Sequence, residues 1–469
     1  MRTLTTISPI NSKPIITTTA ATIDDVKSSV VPNAVKAQKI WHTTALSQRK
    51  EVVAKYLELL RAPETTERLA RGITEQMGRP IRYTKAELAT TELRTQTLLD
   101  YAEEALKDEL VDPVNTNFKK YLSREPLGVV LIIFPWNYPY LTLTNALIPA
   151  LLAGNSVIIK PSPQTPLVAD DIVSLFQEAG LPSGVLQSLH SGDADLIAEV
   201  INLPQISAVS FTGSVEGGLA VQKAASGRTI PVALELGGND AAYVRADISD
   251  FHATAEDIVD GALFNSGQSC CAIERVYVDR RIFRPFVDQV VNVVKKYVVG
   301  DPFNEKTQLG PVISEKAARN IRAQIKDAMD RGAKSLIPEH FFAEAERLNP
   351  TFVGPQVLVD LDESSLVVST ETFGPVIPII AVDSDKEAIA KINDSDLGLT
   401  ASVWTTDIET GEAVANQLEA GTVFVNRADY PDPHLAWTGF KNSGRGVSLS
   451  KYGFGFFTKL KSHHLKLQA

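Results

Sequence analysis

The sequence predicts an α/β protein of two or three domains, and three observations lead to this prediction. The chain has 469 residues, several times the length that one hydrophobic core usually organises. Its composition is that of an ordinary globular protein, with 44% hydrophobic and 22% charged residues. Over most of its length, short apolar runs alternate with segments of helical periodicity. That alternation is typical of parallel sheets with helices on both faces.

The first part of the chain is predicted to be helical, from Asn33 to about Glu109. Its apolar side chains recur at the three-to-four-residue spacing of an amphipathic helix face. The residues predicted to form this face are Val35, Ile40, Val52, Tyr56 and Leu59. An exposed strand is then predicted from Phe118 to Arg124, where apolar and polar residues alternate, and Glu125-Pro126 is expected to break it.

Two series of buried strands follow, with helical segments between them. The first series comprises LGVVLIIF (127–134), SVIIK (156–160), GVLQSL (184–189), ISAVSF (206–211) and IPVALEL (230–236). The second series begins after Gly237 and includes RVYVD, QVLVDL, PVIPIIAV and TASVWTT, so a second α/β domain of similar size is expected. The Phe118–Arg124 strand and the alternating tail FTKLKSHHLKLQA are predicted to form a small β arm.

The charge and the cysteines exclude several classes of function. A formal net charge of -10 and a pI near 5.4 argue against a nucleic-acid partner, which would need clustered Lys and Arg. The two cysteines, Cys270 and Cys271, are adjacent, so no disulfide framework exists and a reducing compartment is expected. The apolar runs fall well short of the ~20 residues that span a bilayer. We therefore expect a cytoplasmic protein with a small-molecule substrate, no membrane segment and no metal site.

Three segments hold the side chains best suited to chemistry. In FNSGQSCCAIER, a Gly-Gln-Ser turn leads into Cys270, which is either a buried small residue or an exposed thiolate whose amide donates to an oxyanion. In LELGGND, Glu235 ends an apolar strand and is either a solvated strand end or a general base. In FPWNYP, Asn137 lies where a strand gives way to a helix and is either an N-cap or an oxyanion donor. The residues alone leave these alternatives open.

Taken together, these segments resemble the aldehyde dehydrogenase superfamily, from about Asn33 to the C-terminus. The motifs that occur in the family's order and at its typical spacings are FPWNYP, AGNSVIIKPS, SFTGS, LELGGND, FNSGQSC, ETFGPV and WTGFKNSGRG. An ordered set of this size is far more specific than any single motif. The resemblance implies a Rossmann-like NAD(P)-binding domain formed by residues 1–112 and 127–236, an α/β catalytic domain at 237–445, and a β oligomerisation arm at 113–126 and 446–469.

The resemblance also implies how an aldehyde would be oxidised to a carboxylic acid. Cys270 would attack the aldehyde carbon to give a thiohemiacetal, and Asn137 with the amide of Cys270 would hold its oxyanion. Hydride transfer to the nicotinamide would leave a thioester, which water activated by Glu235 would hydrolyse. Cys271 matches no catalytic position and is expected to line the pocket or to pack.

The implied cofactor is NAD or NADP, although the usual G-x-G-x-x-G fingerprint is absent. Lys160 and Ser162 would reach the adenosine ribose, and Gly213 and Ser214 would meet the pyrophosphate at a helix N-terminus. The other residues implied at the cofactor site are Phe134, Trp136, Pro163, Phe211, Glu235, Gly237, Glu371 and Phe373, the last two at the nicotinamide ribose and ring. Many NAD-preferring members carry Glu at the position of Pro163, where a carboxylate repels a 2′-phosphate, so use of both cofactors is expected.

The resemblance places a substrate pocket around Tyr138, Leu141, Phe264, Ser269, Cys271, Tyr430 and Trp437. Succinate-semialdehyde dehydrogenases hold a carboxylate with basic side chains at two positions that are Phe264 and Asn145 here, so an uncharged aliphatic or aromatic aldehyde is expected. A succinate-semialdehyde type of activity is the alternative. A CoA-acylating enzyme generally lacks the Glu that Glu235 matches, and a catalytically silent scaffold would not need the intact Cys270 and Asn137. Nothing suggests the partner domain that a reductase would need. A homodimer or homotetramer built through the arm is also expected.

Overall fold

A computed structural model describes residues 3–114 and 117–467 of the chain. The α-helices in the described residues are α1 (Ile23–Asp25), α2 (Val31–Thr43), α3 (Leu46–Arg61), α4 (Pro63–Met77), α5 (Ile81–Leu106), α6 (Pro139–Leu152), α7 (Leu167–Glu178), α8 (Ala194–Asn202), α9 (Val215–Ala225), α10 (Phe251–Leu263), α11 (Phe283–Val294), α12 (Glu315–Asp330), α13 (Ala343–Glu346), α14 (Leu366–Ser369), α15 (Asp385–Asn393) and α16 (Ile408–Ala415). No helix among them is long and apolar enough to cross a membrane.

The strands in the described residues are β1 (Thr3–Ile7), β2 (Pro14–Thr19), β3 (Glu109–Leu110), β4 (Phe118–Pro126), β5 (Val129–Ile133), β6 (Ser156–Lys160), β7 (Leu186–Ser188), β8 (Ile206–Thr212), β9 (Val232–Glu235), β10 (Asp240–Val244), β11 (Ile273–Asp279), β12 (Lys334–Ser335), β13 (Gln356–Val359), β14 (Val376–Val382), β15 (Leu397–Gly398), β16 (Thr400–Trp404), β17 (Thr422–Val425), β18 (Phe440–Lys441), β19 (Gly444–Arg445) and β20 (Thr458–Lys466). Every strand predicted in the two apolar series is present. The predicted α/β fold with parallel sheets is confirmed.

The first sheet has the order β19-β9-β8-β5-β6-β7, and only β19 runs antiparallel to its neighbour. In the register of this sheet, Ile133 is aligned with Lys160 and with Phe211. Thr212 is aligned with Glu235 on the next strand. The carboxyl ends of four strands therefore meet at one edge, where open α/β sheets bind ligands.

The chain passes to a second sheet between β9 and β10. This sheet has the order β12-β13-β14-β11-β10-β16-β17, with β12 alone antiparallel. Apolar clusters cover both faces of each sheet. The division into domains at 236/237 stays a prediction.

The predicted arm exists as a three-stranded antiparallel sheet of order β20-β4-β3. β20 pairs with β4 along its whole length, from Thr458 opposite Pro126 to Lys466 opposite Phe118. The expectation that Glu125-Pro126 breaks the strand is wrong, because Pro126 forms its last residue and costs the ladder one donor at its end. The last two residues of the predicted tail lie outside the described residues.

The predicted helical face needs a correction. Ile40 is 55% exposed, and the buried side of α2 carries Ala34, Ala37 and Trp41 instead. The two alanines allow a close approach to the first sheet, and the Trp41 indole donates to the carbonyl of Leu151 at 2.9 Å. The face of α2 that packs on the sheet is therefore determined by small residues and one buried indole. The prediction had instead chosen the face with more aliphatic side chains.

The N-terminal hairpin β1–β2 was not predicted, and it contacts both halves of the chain. On one side, the Thr6 hydroxyl donates to the carbonyl of Pro163 at 2.8 Å. On the other side, the Thr351 hydroxyl donates to the carbonyl of Pro9 at 2.5 Å. The turn of the hairpin also contacts the second half, since Asn349 Nδ2 donates to Ser12 Oγ at 3.0 Å.

Candidate active site

One cavity lies between the two sheets, and its walls bring together most of the predicted catalytic and substrate residues. All seven predicted pocket residues line it. Cys270 and Glu235 line the same cavity, although they come from different halves of the chain. Asn137 is buried directly behind this wall, and its side-chain amide donates to the carbonyl of Gln268 at 3.3 Å.

The loop that leads into Cys270 has an unusual backbone. Asn265, Ser266 and Gly267 follow one another with φ values of 55°, 58° and 73°. A Cβ atom at Gly267 would lie 2.2 Å from the carbonyl oxygen of Gly374, so only glycine fits there. The Gln268 side chain closes the turn by donating to the carbonyl of Asn265 at 3.0 Å and accepting from the amide of Ile313 at 2.8 Å. This loop leaves Cys270 partly exposed to the cavity.

A buried ion pair between Arg79 and Glu87 holds this loop against the start of α6. Arg79 donates through Nε to Asn265 Oδ1 at 3.1 Å and through Nη2 to the carbonyl of Asn137. Glu87 accepts from the amide of Tyr140 at 3.0 Å. Burial raises the pKa of Glu87, and the charge of Arg79 opposes that rise. One ion pair therefore fixes both the nucleophile loop and the residue predicted to hold the oxyanion.

Glu235 ends β9 at the edge of the first sheet and faces the cavity. Burial raises the pKa of its carboxyl group, and the charge of Arg94 partly offsets this effect. A carboxylate with a raised pKa in a cleft is suited to accept a proton from water. Its place in the cavity agrees better with the general-base alternative than with a solvated strand end.

Cys271 is buried and differs from its neighbour in its contacts. Its thiol donates to Asp429 Oδ1 at 2.9 Å, and the hydroxyl of Ser269 donates to the same oxygen at 2.8 Å. A hydrogen bond with Cys270 and burial raise the pKa of the Cys271 thiol well above its ordinary value. Burial also raises the pKa of Asp429 to about 6. Cys271 therefore remains a neutral thiol in the pocket wall.

The edge of the first sheet carries the predicted cofactor residues. Lys160 ends β6, beside the buried Phe134, and burial lowers the pKa of its ammonium group to about 8. Within the described residues, no carboxylate forms an ion pair with Lys160. A partly buried cation without a carboxylate partner in this part of the chain fits a site that receives hydroxyl or phosphate oxygens from a ligand.

The next turn along this edge begins helix α9. The Ser214 hydroxyl caps the helix by accepting from the amide of Gly217 at 3.1 Å. A Cβ atom at Gly213 or at Gly217 would lie 2.7 Å from the ring of Phe211, so the turn packs tightly on that ring. The N-terminus of an 11-residue helix presents amide hydrogens that suit a pyrophosphate.

Glu371 and Phe373 approach from the second sheet. Glu371 accepts from the amide of Gly238 at 3.1 Å, and a Cβ atom at Gly237 would lie 2.3 Å from its carboxylate. Burial raises the pKa of Glu371 to about 7. The ring of Phe373 meets that of Trp136 edge to face, with 5.7 Å between the centroids. Residues of both sheets thus converge where the cofactor is expected, and the set fits a dinucleotide.

Ser162 and Pro163 lie farther out along the same edge. Ser162 Oγ accepts from the amide of Gln164 at 3.2 Å. The carbonyl of Pro163 is bound by Thr6 of the N-terminal hairpin. This contact between the loop and the start of the chain was not predicted.

Several residues that build the site were missed from the sequence. They are Arg79, Glu87, Arg94, Gln268, Glu274 and Asp429. Glu274 accepts from the amides of Thr372 at 2.5 Å and Phe373 at 2.8 Å, and it holds the second of these in a left-handed conformation with φ 52°. Arg79, Glu87 and Arg94 fall in the segment predicted to be helical, where charged residues are normally assigned to a solvated face, so the pattern gave no signal for their burial. Gln268, Glu274 and Asp429 lie on a strand or in loops, and no pattern in the sequence marked them.

Comparison with known proteins identifies the family of the chain. The model of the aldehyde dehydrogenase family matches residues 1–463. Retinaldehyde dehydrogenase 3 of Rattus norvegicus is 37% identical over 356 residues, which cover 76% of this chain and 69% of that protein. The succinate-semialdehyde dehydrogenase [NADP(+)] of Deinococcus radiodurans is 34% identical over 439 residues, or 92% of this chain and 89% of that one.

A solved structure gives the same result. Betaine aldehyde dehydrogenase from Staphylococcus aureus in complex with NAD+ superposes with a TM-score of 0.93 and 29% identity, over 100% of this chain and 92% of that one. The family model spans nearly all of the chain, and both the sequence relatives and the superposed structure carry the same family name. The chain belongs to the aldehyde dehydrogenase family of NAD(P)-dependent oxidoreductases.

Proposed function

We propose that this protein oxidises an aldehyde to a carboxylic acid with Cys270 as nucleophile and NAD or NADP as cofactor. The observation that carries the proposal is the meeting of Cys270 and Glu235 in one cavity, with Asn137 fixed behind the nucleophile loop. The buried thiol of Cys271, which donates to Asp429, supports the choice of Cys270 as the nucleophile.

In the first step, the Cys270 thiolate forms a bond to the aldehyde carbon while the carbonyl electron pair moves to oxygen. The Asn137 side chain and the amide of Cys270 donate to this oxyanion, and each donor of this kind is worth ~10²–10³ in rate. When bound, the nicotinamide dinucleotide supplies an acceptor for the hydride on the former aldehyde carbon. Glu235 then takes a proton from water as the water attacks the resulting thioester, and Cys270 leaves as thiolate.

The proposed cofactor site follows the edge of the first sheet. Lys160 and Ser162 bind the adenosine ribose, and Gly213 and Ser214 bind the pyrophosphate at the start of α9. Glu371 orients the nicotinamide ribose, while Phe373 supports the ring. The remaining residues proposed to line this site are Phe134, Trp136, Pro163, Phe211 and Gly237. Two observations support this assignment: the ammonium group of Lys160 forms no ion pair with any carboxylate of residues 3–114 and 117–467, and the turn at Gly213 packs tightly on the ring of Phe211.

Two substitutions distinguish the acylation of Cys270 from the later hydrolysis of the thioester. Cys270→Ser should abolish reduction of the cofactor, because a hydroxyl is a far poorer nucleophile than a thiolate. Glu235→Gln should still acylate, so rapid mixing should give up to one equivalent of reduced cofactor per site, followed by a slow steady state. Cys271→Ser is the matched control and should retain most activity. Mass spectrometry that finds the trapped acyl group on Cys271, or no acyl group at all in Glu235→Gln, would overturn the assignment.

We also propose a homodimer or homotetramer assembled through the arm, in the cytoplasm. The outer edge of β20 has no neighbouring strand in the described residues, and Leu460, Leu465 and Leu467 are exposed there. Unpaired edges with exposed apolar side chains favour pairing with another chain. Sedimentation that finds a stable monomer at micromolar concentration would contradict the proposed assembly.

A further inference from the structure

Arg94 is a buried cation in the wall of the substrate cavity. It lies on α5 and is 4% exposed. Its Nη1 donates to Asn145 Oδ1 at 3.0 Å, and its Nη2 makes a long contact of 3.4 Å with the carbonyl of Pro431. Its Nε has no hydrogen-bond partner in the part of the chain that the structure describes. In the wall of the cavity, the Nε–H group is therefore the guanidinium nitrogen left without a partner, while Nη1 and Nη2 each have one.

No carboxylate within the described residues forms an ion pair with Arg94. The other arginine in this wall, Arg79, differs because it is paired with Glu87. Burial lowers the pKa of the Arg94 guanidinium, but arginine remains protonated at neutral pH. The charge of Glu235 acts on Arg94 through space, but no carboxylate of the described residues contacts the guanidinium directly. A buried cation of this kind is stabilised further by a ligand that carries a carboxylate.

From this arrangement we propose that Arg94 selects aldehydes whose far end carries a carboxylate. The inference rests on the proposed oxidation at Cys270, since it names the substrate class for the same cavity. The planar guanidinium offers two parallel donors to a carboxylate, which is the geometry that favours bidentate pairing. Asn145 holds the guanidinium in place from the facing helix α6.

The proposal replaces the expectation of an uncharged aldehyde. That expectation depended on the neutral residues Phe264 and Asn145 at two positions of the pocket. A positive charge is nevertheless present in this wall of the pocket, because Arg94 of α5 is hydrogen-bonded to Asn145 of α6. A single negative charge suits the site better than a phosphate dianion, since Glu235 and Asp429 line the same cavity.

The test compares pairs of substrates that differ only in charge. Aldehydes with a terminal carboxylate, three to seven carbons long, are matched with their primary amides, which have nearly the same shape. We expect the wild-type kcat/KM to favour the best carboxylate over its amide by about 10²-fold or more. Arg94→Met should reduce this ratio at least tenfold, and Arg94→Lys should restore part of it. Both kcat/KM values are measured on the same variant, so an effect of the substitution on folding or on the pKa of Glu235 changes both and cancels in their ratio.

Lys85→Met serves as the matched control, because it removes an exposed charge from the same helix and should leave the ratio unchanged. A wild-type ratio near one, or a ratio that Arg94→Met does not change, would overturn the proposal. A third comparison uses an aldehyde with a terminal phosphate. If its kcat/KM exceeds that of the best carboxylate substrate, the choice of a carboxylate is overturned. Failure of the proposed function looks different, since no aldehyde would then acylate Cys270.

Discussion

The two sides of the cleft differ in how their backbone is built. Between 127 and 236, the residues with positive φ are the glycines Gly128, Gly154, Gly180 and Gly184. From 237 onward, non-glycine residues also adopt positive φ, and those near the site are Asn265, Ser266, Phe373 and Asp429. Each such residue costs roughly 1–3 kcal/mol and persists only where its surroundings hold it. The cofactor side thus uses relaxed turns, whereas the thiol side stores strain that buried contacts must balance.

The largest effect should come from breaking the contact that balances this strain. Arg79→Met leaves Glu87 as an unpaired buried charge, and removal of one partner from a buried pair typically costs about 3–5 kcal/mol. The free energy of unfolding in urea should fall by this amount, and alkylation of Cys270 should slow. Arg280→Met is the control, because the Arg280–Asp383 pair is exposed and contributes little. If both variants lose equal stability, the buried pair does not support the thiol side.

A pair of glycine substitutions compares the two sides directly. Gly180 has φ 93° with no atom within 4 Å of an added Cβ, so Gly180→Ala should cost only the ~1–2 kcal/mol of a left-handed alanine. Gly267 has φ 73° and meets the carbonyl of Gly374, so Gly267→Ala should cost about 3 kcal/mol or more. Unfolding in urea measures the loss in free energy of unfolding for each variant. Equal losses would mean that the loop before Cys270 relaxes as easily as a surface turn.

The smallest effect is expected on the cofactor side. Pro163→Glu adds a carboxylate that repels a 2′-phosphate, and one repulsive contact changes the ratio of kcat/KM for NAD over NADP by about ten- to a hundredfold. Pro163→Gln is the neutral control and should change the ratio little. An unchanged ratio in the glutamate variant would show that another residue sets the preference.

The parts of the molecule that the sequence predicted are those governed by hydrophobic pattern and by ordered motifs. β5 and β6 were found because an uninterrupted apolar run bounded by glycine or lysine has few alternatives to a buried strand. The site residues of the first sheet were predicted from the resemblance to the motifs of the aldehyde dehydrogenase family, and their roles stay proposals. Arg79 and Arg94 were missed because the burial of a charge depends on partners far away in the chain, such as Asn137 and Asn145.

The N-terminal hairpin has a consequence for how the cofactor enters and leaves. It is hydrogen-bonded to the Pro163 loop on one side of the cleft and to Asn349 and Thr351 on the other. A rigid-body rotation that opened the cleft would have to break these bonds on one side. Exchange of the dinucleotide is therefore expected to proceed by local loop motion, with the hairpin acting as a latch that limits hinge opening. If the hairpin stays bound to both sides of the cleft, hydrogen exchange at its backbone amides should remain slow during turnover.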